Sequence, residues 1–168
     1  MAVARLVDHQ PAHLEVEGWI SWIYRNSVNR ARSWRGAQQG ALHLRRPKAK
    51  LHYETFMTDS QREAHARGKL AYLMTHRDVI IEEPLLSGFI RRNEQTGFKD
   101  GQKPMSVMEP LLKMTTRPGD LVIDPTAGSG TTGEVAAKLG CAAILSDRSM
   151  VSLRIARARL QHYLASSR

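Results

Sequence analysis

Asp120-Leu-Val-Ile-Asp-Pro-Thr-Ala-Gly-Ser-Gly-Thr-Thr132 is an apolar run that passes into a Gly/Ser/Thr turn and then into Gly133-Glu-Val-Ala-Ala-Lys-Leu139, a helix-forming stretch. Leu121, Val122 and Ile123 form a short continuous apolar run, the pattern of a strand buried on both faces of a parallel sheet. Asp124 stands at its carboxyl end. In open α/β sheets ligands lie beyond the carboxyl ends of strands, so a small molecule is expected against the turn from Ala127 to Gly130. Glycines there let backbone come close to it. The next apolar run, Ala142-Ala-Ile-Leu-Ser146, ends at Asp147 and supplies a neighbouring strand. The stretch therefore predicts an α/β fold with a nucleoside-cofactor pocket.

Gly128-Ser-Gly130-Thr-Thr-Gly133 is also a literal G-x-G-x-x-G followed by an acidic residue, the fingerprint of a dinucleotide site. The residues after Gly133 are too few to complete the two mononucleotide halves that such a site needs. A phosphate-binding P-loop fails on chemistry. No Gly-Lys-Ser/Thr follows the turn, so neither a phosphate lysine nor a magnesium hydroxyl is present. The plain alternative is that Gly128 and Gly130 only make a tight strand-to-helix connection.

The upstream context is more specific. Gly101-Gln-Lys-Pro-Met-Ser-Val-Met-Glu-Pro-Leu-Leu112 precedes Lys113 to Arg117, then Pro118-Gly119-Asp120, the apolar run and the turn. From about Gln102 to Leu160 the sequence resembles the S-adenosylmethionine-binding half of the β-class DNA amino-methyltransferases. Those enzymes methylate the exocyclic amine of adenine or cytosine, as in restriction-modification. Their signature is Thr-Gln-Lys-Pro, an amphipathic helix, Pro-Gly-Asp, a strand, Asp-Pro-Phe-x-Gly-Ser-Gly-Thr-Thr, a helix, and an acidic residue closing the next strand. Two positions depart from it: Gly101 replaces the Thr and Thr126 replaces the Phe. The second removes an apolar wall, which predicts weaker cofactor affinity than the family norm.

The resemblance implies a Rossmann-like S-adenosylmethionine-dependent methyltransferase fold and a set of cofactor residues. Asp124, Pro125, Thr126, Ala127, Gly128, Ser129, Gly130, Thr131 and Thr132 would hold the methionine moiety, with Lys103 and Pro104 on the other side. Asp147 would take the ribose hydroxyls. An ionised carboxylate is suited to that work, because it accepts strong hydrogen bonds from vicinal hydroxyls or an ammonium group. Asp147 could equally cap a helix starting near Ser149, and both roles could coexist. Pro104 suits a helix start in any case, where its missing N–H costs nothing.

The whole chain has 168 residues, a length that fits one domain with a single core. Its first residues lack an apolar core of signal-peptide length and no stretch approaches a membrane span, so a cytoplasmic protein is expected. One cysteine, Cys141, excludes an internal disulfide and a cysteine-cluster metal site, and the seven histidines show no ligand spacing. A formal net charge of +9 points to a polyanionic partner, double-stranded DNA rather than membrane. The charge is concentrated. Arg25, Arg30, Arg32, Arg35, Arg45, Arg46, Lys48 and Lys50 fall in one acid-free stretch, interleaved with Asn26, Asn29, Trp34, Gln38 and Gln39. Of these, Arg30, Arg32, Arg35, Arg45, Arg46 and Lys48 are the candidate DNA contacts, against the plainer reading of a solvated basic surface.

Gly18-Trp-Ile-Ser-Trp-Ile-Tyr24 and Gly40-Ala-Leu-His-Leu44 read as two strands around that basic loop, with Trp19, Ile20, Trp22, Ile23 and Tyr24 as core. By resemblance, residues 1–51 are a remnant of the catalytic region. Residues 52–100 are a target-recognition segment containing a helix from Asp59 to His76 and an apolar patch at Val79-Ile-Ile81, and 101–168 bind the cofactor. The family's catalytic tetrapeptide, Asp, Asn or Ser followed by Pro-Pro and an aromatic, occurs nowhere in the chain. No catalytic residue is therefore assigned. Enzymes that modify a base draw it out of the helix into a closed pocket, and the part that would build that pocket is lacking. The expectation is a fold incomplete at its N-terminal side: a fragment or subunit of a DNA methyltransferase that binds S-adenosylmethionine and DNA. The main alternative is a non-catalytic DNA-binding or partner subunit that completes a split methyltransferase with a second chain. Cytosine ring-carbon methylation is disfavoured because no Pro-Cys supplies a thiolate. A dinucleotide oxidoreductase module ranks last.

Overall fold

A computed structural model describes residues 9–25, 36–70, 76–82, 94–98 and 101–166. Arg30, Arg32 and Arg35, with Asn26, Asn29 and Trp34, lie outside the described residues. The chain divides into two compact units, Met1–Ile81 and Glu82–Arg168, rather than the single core that its length suggested. The physical reason is that its strands form two separate sheets, each with its own buried residues.

In the first unit, β1 (Glu15–Ile23) and β2 (Gln38–Arg45) pair antiparallel, and β3 (Val79–Ile81) adds to β1 in parallel, giving the order β2-β1-β3. Its core is built from Trp22, Met57 and Ile80. Trp22 lies opposite Ile80 across β1 and β3 and stands 5.3 Å from Tyr24 between ring centroids. Trp19 departs from expectation. It is 47% exposed, on the face of β1 opposite to that of the buried Trp22. Its indole lies over Gly40, where a Cβ would stand 2.9 Å from the ring.

The helix expected over Asp59 to His76 is shorter. Helix α1 (Asp59–Ala66) starts at a capping box, with Thr58 Oγ1 accepting from Gln61 N–H and the Gln61 side chain accepting from Thr58 N–H. It ends at Arg67 and Gly68, the latter at φ +65, a left-handed conformation that glycine adopts without strain.

The second unit is the α/β element. Helix α2 (Met105–Thr115) precedes the turn Arg117-Pro-Gly-Asp120, closed by Asp120 N–H to Arg117 O at 3.0 Å, with Gly119 at φ +93 where the turn requires it. Then follow β4 (Leu121–Asp124), α3 (Thr131–Lys138), β5 (Ala142–Leu145) and α4 (Met150–Ser166). Strands β4 and β5 pair in parallel from Leu121 and Ala142 to Asp124 and Leu145. The crossover helix α3 covers one face. Val122, Ala136 and Cys141 form the core there, with Leu112 of α2 and Leu139 packed against it. The other face differs from the expected strand buried on both sides: Leu121 is 53% exposed, Ile123 65% and Ile144 54%.

Candidate cofactor site

The site is the carboxyl end of β4 and β5. Asp124 ends β4 and folds the chain back on itself, its Oδ1 accepting from Thr126 N–H at 2.9 Å and from Thr126 Oγ1 at 3.4 Å. This is the short local bond that makes Asp a turn former. Ala127 N–H then reaches Ser146 O beyond β5 at 2.9 Å, and Gly130 N–H closes on Ala127 O at 2.8 Å. Gly128 and Gly130 both take positive φ, +51 and +79. Gly130 has a second constraint. A Cβ there would lie 2.7 Å from Ala156 Cβ and 2.8 Å from its Cα, so only glycine lets α4 pack this close. At Gly133 a Cβ would meet the tip of the Leu145 side chain on β5 at 2.6 Å, a contact the leucine can relieve by turning aside.

Asp147 fastens the turn from below. Its Oδ2 accepts from Gly128 N–H at 2.9 Å and its Oδ1 from Ser149 N–H at 2.8 Å. The Ser149 and Gly128 amides hold its carboxyl below the usual carboxylate range. Each oxygen keeps a further lone pair for a ligand. Ser149 in turn accepts from Ser152 N–H at the start of α4. The capping and ligand readings of Asp147 are thus geometrically compatible.

The opposing wall is residues 101–104. Pro104 is buried and precedes α2 as its cap residue, one position before the helix. Lys103 donates to Gly101 O at 3.2 Å, and its burial lowers its pKa from the ordinary lysine value. The buried Gln102 ties this wall to the segment before it, accepting from Thr96 Oγ1 at 2.9 Å and donating to Glu94 O. Glu94 Oε2 then accepts from Met105 N–H, capping α2 at 2.8 Å. Thr131 joins the two walls, with its Oγ1 donating to Lys103 O at 2.9 Å.

Between the walls lies a cleft of about 450 Å³ lined by Gly101, Gln102, Lys103, Asp124, Thr126, Ala127, Gly128, Ser129, Thr131, Thr132 and Asp147, together with Phe98 and Met108. Of the twelve cofactor candidates, Pro104, Pro125 and Gly130 are not among the lining residues. Pro104 and Gly130 shape the walls from behind. The volume is in the range of small-molecule sites. Its chemistry is two-sided. Asp124 and Asp147 supply acceptors, whereas Lys103 and the first turn of α3, which has no side-chain cap, supply donors. A zwitterionic amino acid joined to a ribose matches that set.

Sequence reading missed Phe98, Met108 and the role of Arg159. Phe98 has no motif around it, and only its nearness to Gly128 in space, 3.3 Å from where a Cβ would stand, reveals it. Arg159 left a clue. With Ser152 and Ala156 it occupies the buried stripe of α4 at helical spacing, and an arginine there requires a partner. Its Nη1 donates to Thr131 Oγ1 at 2.9 Å and its Nε pairs with Glu134.

The basic candidates separate into two environments. Arg45 is held by Glu15 at 3.0 Å and by Glu17, and donates to Ala49 O at 3.2 Å. Arg46 and Lys48 are exposed on the turn after β2, closed by Ala49 N–H to Arg46 O at 3.0 Å. No helix among the described residues is long and apolar enough to cross a membrane.

Comparison with known proteins identifies the family and the fold. Residues 2–158 match the DNA methylase family of N6 and N4 methyltransferases. Over 60 residues the chain is 45% identical to the type II methyltransferase M2.DpnII of Streptococcus pneumoniae, a stretch that is 36% of this chain and 22% of that protein. It is 42% identical over 59 residues, 35% of this chain, to M2.LlaDCHI of Lactococcus lactis subsp. cremoris, again 22% of the relative. The matched stretch thus spans about a fifth of these relatives' length. Among solved structures, M1.HpyAVI in complex with SAM superposes with a TM-score of 0.69 at 25% identity, covering 94% of this chain and 69% of that one. The cytosine-N4-specific PvuII DNA methyltransferase superposes at 0.67 and 17% identity, covering 94% and 54%. With a Rossmann-like fold and a family match over most of its length, the chain belongs to the N6-adenine/N4-cytosine DNA methyltransferases, the β-class amino-methyltransferases that depend on S-adenosylmethionine.

Proposed function

We propose that this chain binds S-adenosylmethionine in the cleft between residues 101–104 and the Asp124 to Thr132 turn, and serves the methylation of an adenine or cytosine amine in double-stranded DNA. The observation that carries this reading is the cleft itself, which gathers Lys103, Asp124, Gly128, Ser129 and Asp147 around one space. When bound, the cofactor supplies an electrophilic methyl group. The chain's own residues bind and orient it: Asp124 accepts from the ammonium group, Lys103 and the start of α3 face the carboxylate, and Asp147 accepts from the ribose hydroxyls. Arg46 and Lys48, exposed on their turn, contribute to phosphate contact, as do Arg30, Arg32 and Arg35. Arg45 is already bound to two glutamates, so it orders the hairpin more than it meets DNA.

Calorimetric titration with S-adenosylmethionine tests the reading, with Asp147→Ala and a nicotinamide dinucleotide as controls. Binding in the micromolar range, lost in Asp147→Ala and absent for the dinucleotide, is the expected result. A folded chain that takes up the dinucleotide instead would replace it.

A second reading concerns the catalytic step. The chain has no Asp/Asn/Ser-Pro-Pro-aromatic tetrapeptide, and one face of β4 and β5 is exposed and apolar at Leu121, Ile123 and Ile144. These observations favour a cofactor-binding part that is completed by a polypeptide bearing the tetrapeptide. Methyl transfer to DNA only when both are mixed would support it.

A further inference from the structure

We propose that Arg159 is a positioning residue that fixes the polarity of a hydroxyl chain in the cleft wall, so that Ser129 offers the ligand an acceptor and the site selects for an α-ammonium group. The inference rests on the cofactor reading above and deepens it. Arg159 sits on the buried face of α4, 8% exposed, and is a donor only. Its Nε pairs with Glu134, its Nη2 lies 4.0 Å from Glu94 Oε2, and its Nη1 donates to Thr131 Oγ1 at 2.9 Å. The Glu134 carboxylate thus anchors the guanidinium, with Glu94 a longer-range charge partner.

The protons follow from that one fixed donor. Thr131 Oγ1 must accept from Arg159, and its own single proton goes to Lys103 O, which can only accept, at 2.9 Å. Thr131 therefore has no proton left for Ser129. The contact between Ser129 Oγ and Thr131 Oγ1, 3.2 Å long, must have Ser129 as its donor. Ser129, itself 4% exposed, lines the cleft with its proton committed inward and its lone pairs available to a ligand. Beside it Asp124 is a second acceptor. Without Arg159 the threonine could donate to serine, and the serine could turn its proton into the cleft.

The test compares S-adenosylmethionine with its analogue lacking the α-amino group, titrated into the full-length chain and into Arg159→Lys and Thr131→Val. The lysine keeps a cation for Glu134 but cannot also reach Thr131 with a fork, and the valine removes the relay while leaving Arg159 and its carboxylates. Thermal melting establishes that each variant is folded. The wild-type chain is expected to prefer the full cofactor by about tenfold or more, the scale of a hydrogen bond to a charged group. In a folded variant that preference should shrink by about threefold or more, with Asp124 keeping the remainder. A merely structural role would weaken both ligands alike and leave the ratio unchanged, and that result in either folded variant would overturn the proposal. A wild-type chain that binds neither ligand would show that the cofactor reading has failed, and this inference with it.

Discussion

Asp147 joins the Gly128 turn to the start of α4 through its two oxygens, so its ionisation bears on local folding and, on the proposed reading, on ligand binding. The Ser149 and Gly128 amides depress its pKa from the ordinary 3.8. A carboxyl with a lowered folded-state pKa contributes stability that is fully present above its unfolded value and is lost as pH falls through its folded value. The advantage of wild type over Asp147→Asn in urea unfolding should therefore be constant near neutrality and shrink below about pH 4. An equal gap at pH 7 and pH 3 would show that the charge is not what holds the turn. Phe98 poses a different question at the same scale. The family's Asp-Pro-Phe aromatic is Thr126 here, yet Phe98 lines the cleft beside Gly128 and can replace the lost wall. Phe98→Ala should weaken cofactor binding about tenfold in calorimetry, the loss expected for an apolar contact of roughly 50 Å². Asp124 and Asp147 were readable in the sequence because each ends an apolar run. Phe98 was not, because nothing in its neighbours fixes where the chain folds back.

At the scale of elements, the clearest constraint is the crossing of α4 over the start of α3. Gly130 adopts φ +79 and leaves no room for a Cβ against Ala156. Gly130→Ala should cost about 2–4 kcal/mol, combining the left-handed backbone penalty with overpacking, and denaturant titration would measure it. A cost under about 0.5 kcal/mol would place it among ordinary surface changes and would mean the helices separate freely. The turn after β2 is the opposite case. Lys48 is the one described non-glycine residue at positive φ, 65°, following Pro47. Lys48→Gly should raise stability by up to about 1 kcal/mol through relief of that strain. If Lys48 meets a phosphate, the same change should reduce the salt slope of DNA binding by about one. Higher stability with an unaltered slope would remove Lys48 from the DNA surface. The positions of β1, β2, β4 and β5 and the parallel pairing of the last two were legible because apolar runs and turn residues mark them, whereas β3 read only as an apolar patch. Burial was not: Leu121-Val-Ile123 looks like a strand covered on both faces, but only Val122 is buried. A run of three apolar residues records the surroundings its sequence suits, not those the 168-residue chain itself supplies.

For the molecule as a whole, that mismatch is informative. Soluble proteins seldom leave contiguous apolar patches uncovered without a function for them, and Leu121, Ile123 and Ile144 stand on adjacent parallel strands whose opposite face carries the core. The catalytic tetrapeptide is absent from the sequence, and the second reading proposed above would place the polypeptide that carries it on this face. The double variant Ile123→Glu/Ile144→Lys separates this from a face that simply stays wet. Both side chains are already more than half exposed, so the isolated chain should change in stability by no more than about 0.5 kcal/mol and should retain cofactor binding. Burying the two charges against a partner is costly, so affinity for the tetrapeptide-bearing polypeptide should fall at least about tenfold. Methyl transfer in the mixture should fall with it. Complementation that survives the double variant would mean that the partner docks elsewhere. A large destabilisation of the isolated chain would mean that this face is already packed within the chain, and the two-part enzyme would lose its structural support.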